Sequence, residues 1–193
     1  MSFTVVSYYT PEYAEEARRL QSSVDSLGIS AVIDGFPSRG SWIANCAKKP
    51  EFIRFQAEMV GAVLWIDADA EVLGDLSLID GTRADFAVRK RSGAVADRCG
   101  PFMSGTLYFS GPQPILDEWV AQQDAHPEVW DQKTLHWAWE RSRPDTMFLP
   151  KTYCQKFDES GENAVIVHHQ ASRRLSGVVN KQQREHIRPW TKG

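Results

Sequence analysis

Asp67 and Asp69 stand two residues apart, directly after the apolar run Ala62-Val63-Leu64-Trp65-Ile66. An apolar run rich in strand formers predicts a buried strand, and the acids close its carboxyl end. Side chains alternate along a strand, so both carboxylates are expected on one side with Ala68 opposite. Two like charges this close repel unless a cation lies between them. Mg²⁺ and Mn²⁺ suit carboxylate oxygens and keep open positions for substrate phosphates. With 13 aspartates in the chain, an Asp-x-Asp is commonplace by composition, and Asp is also an ordinary turn residue. Its place is the signal, because open α/β sheets bind ligands beyond the carboxyl ends of their strands.

The segments before this strand predict a βαβ unit. Phe3 to Tyr8 reads as a strand, followed by Thr10 as helix N-cap and Pro11 at the first helical position. Ala14, Ala17, Leu20, Val24 and Leu27 recur at helical spacing, and Gly28 stops the helix. Ile29 to Asp34 is a second strand, so the two strands should pair in parallel. Tyr8, Tyr9 and Thr10 then fall at the carboxyl edge of the first strand, where a nucleotide base can stack. Phe36 to Ala47 reads as loop. Lys48, Lys49 and Pro50 introduce a helix with Phe52, Phe55, Met59 and Val60 as its inner face; Lys48, Lys49 and Arg54 are within reach of a phosphate, or simply solvated.

Beyond the acidic pair, Asp75-Leu76 opens a short turn or helix, and Ala84 to Val88 reads as a strand leading into the basic loop Arg89-Lys90-Arg91-Ser92-Gly93. Phe102 to Ser110 is a further strand, in which Gly105 either lets a ligand approach the backbone or marks a bulge. Ile115, Leu116, Trp119 and Val120 line the next helix. Trp130 to Trp139 is another, with Asp131 in its first turn, where a carboxylate complements the helix dipole. Met147 to Pro150 and Tyr153 to Phe157 are short strand pieces, and Ala164 to Val167 is the last strand, running into His168-His169.

The chain has 193 residues, 42% of them hydrophobic and 24% charged, which predicts one globular domain over 1–193. A net charge of -3 argues against a general nucleic-acid binder, although the last 21 residues, including the tail from about 175 to 193, carry a basic excess. Cys46, Cys99 and Cys154 are odd in number and widely spaced, which fits neither a disulfide framework nor a zinc site. The first residues lack the pattern of a signal peptide, and no apolar run reaches the ~18 to 20 residues of a membrane span. The expected location is the cytoplasm.

In order along the chain stand Tyr-Thr-Pro, Lys-Lys-Pro-Glu-Phe-Ile, Leu-Trp-Ile-Asp-Ala-Asp, Ser-Gly-Thr-Leu-Tyr-Phe, Trp-Asp-Gln, Phe-Leu-Pro and a late His before a basic pair. This series resembles the small nucleotide-diphospho-sugar glycosyltransferases of the GT-A fold found in bacteria and phages. The resemblance spans about residues 3 to 174. It implies a three-layer α/β/α fold with a mainly parallel central sheet. It also implies a Mn²⁺ or Mg²⁺ cofactor and transfer of a sugar from a nucleotide-diphospho-sugar, UDP-sugar first, to an acceptor hydroxyl.

Carried over residue by residue, Asp69 is the direct metal ligand and Asp67 approaches the ribose and donor sugar at the metal. His168 completes the metal site; adjacent strand histidines face opposite sides, so only one of His168 and His169 can serve. Arg173 and Arg174 cover the diphosphate, since guanidinium forks match phosphate oxygens. Ser104-Gly105-Thr106 lines the sugar pocket. Asp131 is the catalytic carboxylate, a base in an inverting enzyme or an orienting group in a retaining one. The Asp-Gln pair and Leu-Pro resemble retaining relatives. One departure stands out: the family's late Lys-Pro-Trp has its nearest equivalent, Arg188-Pro189-Trp190, much further on.

Two other classes fit the same carboxylates. A nucleotidyltransferase or pyrophosphatase-like enzyme would carry a Gly-rich loop after the first strand, where this chain has Tyr8-Tyr9-Thr10-Pro11. A catalytically silent nucleotide-sugar binding module is the other. The acceptor stays open between a glycan, a small molecule, a protein and a modified base in DNA.

Overall fold

The computed structural model describes residues 1–91, 100–159 and 163–172. Strand β1 (Thr4–Tyr9) leads through a 3-10 turn at Pro11–Tyr13 into helix α1 (Ala14–Ser26), then β2 (Ala31–Gly35). β1 and β2 pair in parallel, as the βαβ reading requires. The Thr10 side chain makes no capping hydrogen bond. Gly28 ends α1 with φ +66, a left-handed conformation that glycine adopts without strain.

Next come helices α2 (Trp42–Cys46) and α3 (Lys49–Val60), then β3 (Val63–Ile66), β4 (Ala70–Val72) and the short α4 (Ser77–Asp80). Strands β5 (Phe86–Lys90) and β6 (Phe102–Phe109) precede helices α5 (Pro114–Ala125) and α6 (Asp131–Ser142). Strands β7 (Thr146–Phe148), β8 (Gln155–Lys156) and β9 (Ile166–His168) complete the described elements.

Six strands form the central sheet in the order β2-β1-β3-β6-β5-β7. Three of its pairings are parallel, and β6 runs antiparallel to both of its neighbours. A smaller sheet, β4-β9-β8, lies beside it. Alternation along the central strands divides the core into two layers. Val5, Leu64 and Ile66 pack with Leu20 and Val24 of α1, whereas Val6, Val63 and Trp65 pack with Phe52 and Ile53 of α3, Trp119 of α5 and Leu135 of α6. This is the expected α/β/α layering with a mainly parallel sheet.

Three local expectations are corrected. The segment 36–47 is not all loop: the Ser41 hydroxyl accepts the Ala44 N–H and starts α2. The inner face of α3 is Phe52, Ile53, Gln56 and Ala57, a helical i, i+1, i+4, i+5 stripe against the sheet, while Phe55, Met59 and Val60 fall beside that stripe and are exposed. Arg89 and Lys90 belong to β5 rather than to a loop, and Arg89 is held by Glu159 at 2.9 Å.

Candidate metal and donor site

The carboxyl ends of β1 and β3, the first turns of α3 and α6, and the 38–46 segment enclose a cavity of about 380 Å³. Its lining includes Tyr8, Tyr9, Thr10, Lys49, Asp67, Asp69, Ser104 and Asp131, residues from five separated stretches of sequence. The location follows from the topology, since residues carried past parallel strand ends meet beyond the sheet edge.

Asp67 and Asp69 do not ride on a strand. β3 ends at Ile66, and the chain turns, with the Ala70 N–H donating to the Asp67 carbonyl at 3.0 Å before β4 begins. Asp67 still shares the face of Trp65, two residues earlier, whose indole Nε1–H donates to its Oδ1 at 2.9 Å. Asp69 is fixed from the other side by the Ala171 N–H, 2.8 Å from its Oδ2. β9 pairs antiparallel with β4 in the register Ala70↔His168, which carries the imidazole to the turn. One ligand atom each from Asp67, Asp69 and His168 then lies within 4.8 Å of the others.

This donor set fits a divalent cation. His168 Nδ1 stands 4.0 Å from Asp69 Oδ1, too far for a hydrogen bond and a span that one ion can bridge. Asp67 Oδ1 and Asp69 Oδ2 are occupied by N–H donors, and among the described residues no hydrogen-bond donor takes the second oxygen of either acid. Burial raises the Asp69 pKa and the neighbouring Asp67 raises it further, against the opposing pull of His168. Burial works against protonation of His168, but Cys154 and the two acids outweigh it and hold its pKa up at about 9.

Gly105 is set by this cluster. A Cβ there would stand 2.8 Å from His168 Cε1, 3.1 Å from Nδ1 and 3.3 Å from Asp67 Oδ2. β5 and β6 slip register between Val88 and Arg89, so that Val88 faces Leu107 and Arg89 faces Met103. Residues 104–106 form the irregular stretch between, which re-aims their side chains towards the site.

A second cluster adjoins the first. Lys49 Nζ lies 2.7 Å from Asp131 Oδ2 and 3.0 Å from Asp67 Oδ1, and donates to Ser104 Oγ at 3.2 Å. Ser104 Oγ–H donates to the same Asp131 oxygen at 2.7 Å. Burial would discharge Lys49, yet Asp131 and Asp67 together hold its pKa above the ordinary value. With His168 deprotonated, as a metal ligand must be, three carboxylates and one ammonium leave two negative charges, the complement of one divalent cation.

The predicted site residues do not all meet. Asp67, Asp69 and His168 come together, as do Lys49, Ser104 and Asp131. His169 faces away and pairs with Glu71 at 3.2 Å. Tyr8 reaches the cavity, but its ring is enclosed by Phe36, Phe52 and Trp65, and its hydroxyl donates to the Asn45 carbonyl at 2.6 Å. Burial raises its pKa well above the ordinary value. Tyr9 lies over Gly35, with ring atoms 3.2 Å from where a Cβ there would stand, and Thr10 is buried beside it. Arg54 is not at the site: it sits on the outer side of α3 with Asp117 and Glu58, because it projects away from the cavity-facing Lys49 end. Arg173 and Arg174 lie outside the described residues, as do the tail and Arg188-Pro189-Trp190.

Several lining residues carry no signature in the sequence, among them Tyr13, Trp42 and Asn45, whereas Gln132 belongs to the Trp-Asp-Gln series. A Ser before Trp-Ile-Ala is the cue that would have placed Trp42 on a helix. Trp65 was readable as a partner of Asp67 from their two-residue spacing on a strand.

No protein-family profile matches the sequence, and no curated protein matches it in sequence. Solved structures do match. A glycosyltransferase involved in the glycosylation of the major capsid of PBCV-1 superposes with a TM-score of 0.71 at 16% identity, covering 97% of this chain and 98% of that one. The galactosyltransferase LgtC, in complex with donor and acceptor sugar analogs, gives 0.57 at 12% identity, with coverage of 99% and 97%. Mouse xyloside xylosyltransferase 1 gives 0.54 at 10% identity, with coverage of 87% and 97%. At these identities the likeness is one of fold, and that fold is GT-A.

Proposed function

We propose that the protein is a metal-dependent glycosyltransferase that moves a sugar from a nucleotide-diphospho-sugar, with UDP as the first nucleotide to test, to an acceptor hydroxyl. The carrying observation is the Asp67, Asp69 and His168 cluster at the carboxyl edge of a GT-A sheet, beside a cavity with room for a donor. Its mixed oxygen and nitrogen donors suit Mn²⁺ at least as well as Mg²⁺. When bound there, the cation supplies charge neutralisation for the departing diphosphate.

The chain's own residues do the rest. Asp69, fixed by the Ala171 N–H, and His168 define the diphosphate end of the cavity. Lys49, Ser104 and Asp131 form the sugar end, where ammonium, hydroxyl and carboxylate can each hydrogen-bond a sugar hydroxyl. Asp131 Oδ2 is already committed to Lys49 and Ser104. That favours an orienting role over a free base, and with it the retaining outcome. The acceptor is a hydroxyl compound that enters from the open side of the cavity.

Incubation of the full chain with a panel of sugar nucleotides, with and without Mn²⁺, tests this reading. Metal-stimulated release of nucleoside diphosphate is the expected result. Release of pyrophosphate would point to nucleotidyl transfer instead, and binding without turnover to a silent module.

A further inference from the structure

One polar contact behind the metal cluster has no part in the chemistry above. Thr106 Oγ1 lies 2.9 Å from His168 Nε2, and both side chains are buried, at 0% and 6% exposure. Cys154, itself fully buried, interacts with both. A neutral imidazole has one N–H and one lone pair, and the partner of one nitrogen fixes the role of the other. Nδ1 is the nitrogen that faces Asp67 and Asp69. For it to offer a lone pair to a cation, Nε2 must carry the proton, and that proton needs an acceptor where water is excluded.

We propose that Thr106 is a positioning residue for the metal centre, its hydroxyl accepting the His168 Nε2–H and so aiming the Nδ1 lone pair between Asp67 and Asp69. The inference rests on the reading of those three residues as a cation site. The hydrogen bond matters more here than steric confinement. Gly105 lets β6 close on the ring at Cε1, and such packing confines the imidazole without choosing which of its nitrogens carries the proton. β6 thus does two things with consecutive residues: Gly105 makes room for the ring and Thr106 orients it. The Thr106 hydroxyl proton remains free to bond towards Cys154.

The test compares Mn²⁺ and Mg²⁺ affinities of the full chain as wild type, T106V, T106S, T106A, H168A and D69N, reading free Mn²⁺ by its spin-resonance signal and Mg²⁺ by competition. Valine keeps the shape of threonine and cannot accept the proton. T106V is expected to weaken Mn²⁺ by about 10- to 100-fold, the usual effect of losing an outer-shell partner. Mg²⁺, which relies on the carboxylate oxygens, should weaken less, so the Mn²⁺ preference falls, and T106S should restore it. Unchanged Mn²⁺ affinity in T106V, with H168A and D69N impaired, would overturn the role of Thr106 and leave the cation site standing. Equal weakening of both ions in T106V and T106S alike would also overturn it, as a purely structural effect. Unchanged affinity in H168A and D69N would instead remove the cation site itself. If T106V fails to fold, as shown by its melting curve without metal, the contrast of T106A with T106S decides in the same way.

Discussion

Lys49, in the first turn of α3, holds its ammonium 2.7 Å from the carboxylate of Asp131, in the first turn of α6. The pair joins two helix starts that are 82 residues apart in the chain. Locally the two ends are unequal. A carboxylate at a helix N-terminus is stabilised by the dipole, whereas a cation there is opposed by about 0.3–1 kcal/mol. Lys49 is therefore in the wrong place by helix rules, and the adjoining Asp131 and Asp67 reverse the balance. Both side chains are at most 5% exposed, so the pair cannot fall back on water if it is broken.

Removing one partner should thus be costly. Lys49→Ala leaves Asp131 buried beside Ser104 with no opposite charge, and a loss of about 3–5 kcal/mol is expected on chemical denaturation. The double variant Lys49→Ala/Asp131→Ala should lose less than the two single variants added together. Additive losses in that cycle would show that the two groups do not depend on each other.

Gly105→Ala should impair the cation site without touching any of its charges. The new Cβ would stand 2.8 Å from His168 Cε1, inside van der Waals contact, so either the ring or β6 has to shift. Overpacking of this kind costs about 1–3 kcal/mol. The expected outcome is a lower melting temperature together with weaker Mn²⁺ binding. A variant with wild-type Mn²⁺ affinity would mean that the imidazole has more freedom than the geometry allows.

Part of this site is legible in the sequence. Asp67-Ala68-Asp69 after an apolar run marked the sheet edge, and alternation allowed only one of His168 and His169 into the cavity. Lys49 was harder. Its neighbours Lys48 and Pro50 read as a solvated helix start, and nothing local shows that two acids from distant segments lie above it. Gly105 offered two readings, ligand approach or bulge. The real constraint, a histidine 63 residues further on, depends on tertiary structure. The inner face of α3 departs from the sequence pattern for a related reason. Phe55 and Met59 are as apolar as Phe52 and Ile53, and only the position of the sheet decides which of them it covers.

That difference can be measured on α3. Ile53 is fully buried, and Ile53→Ala should cost about 2–5 kcal/mol. Met59 is 66% exposed, and Met59→Ala should change stability by no more than about 0.5 kcal/mol. Arg54→Ala belongs with Met59: its partners Asp117 and Glu58 are exposed, and it should leave the affinity for nucleoside diphosphate plus Mn²⁺ unchanged. A marked loss of affinity in Arg54→Ala would bring that guanidinium back to the diphosphate.

The two adjacent histidines give the sharpest contrast. His168 and His169 differ by one position on the edge of β9, so one faces the acidic pair and the other faces Glu71. A cation that binds only the folded chain raises its stability by mass action, by about 2.7 kcal/mol at a free concentration a hundredfold above the dissociation constant. Wild type and His169→Ala should both show a rise in melting temperature with Mn²⁺. The His169 backbone N–H to the Asp69 carbonyl, at 2.9 Å, survives the alanine substitution and keeps the turn in place. His168→Ala and Asp69→Asn should lose most of the rise while melting cooperatively without metal. Asp69→Asn retains an oxygen to accept the Ala171 N–H, so its fold should survive and its deficit can be assigned to the lost charge. An equal Mn²⁺ response in His168→Ala and wild type would place the imidazole outside the coordination sphere, with the acids alone left to hold the ion.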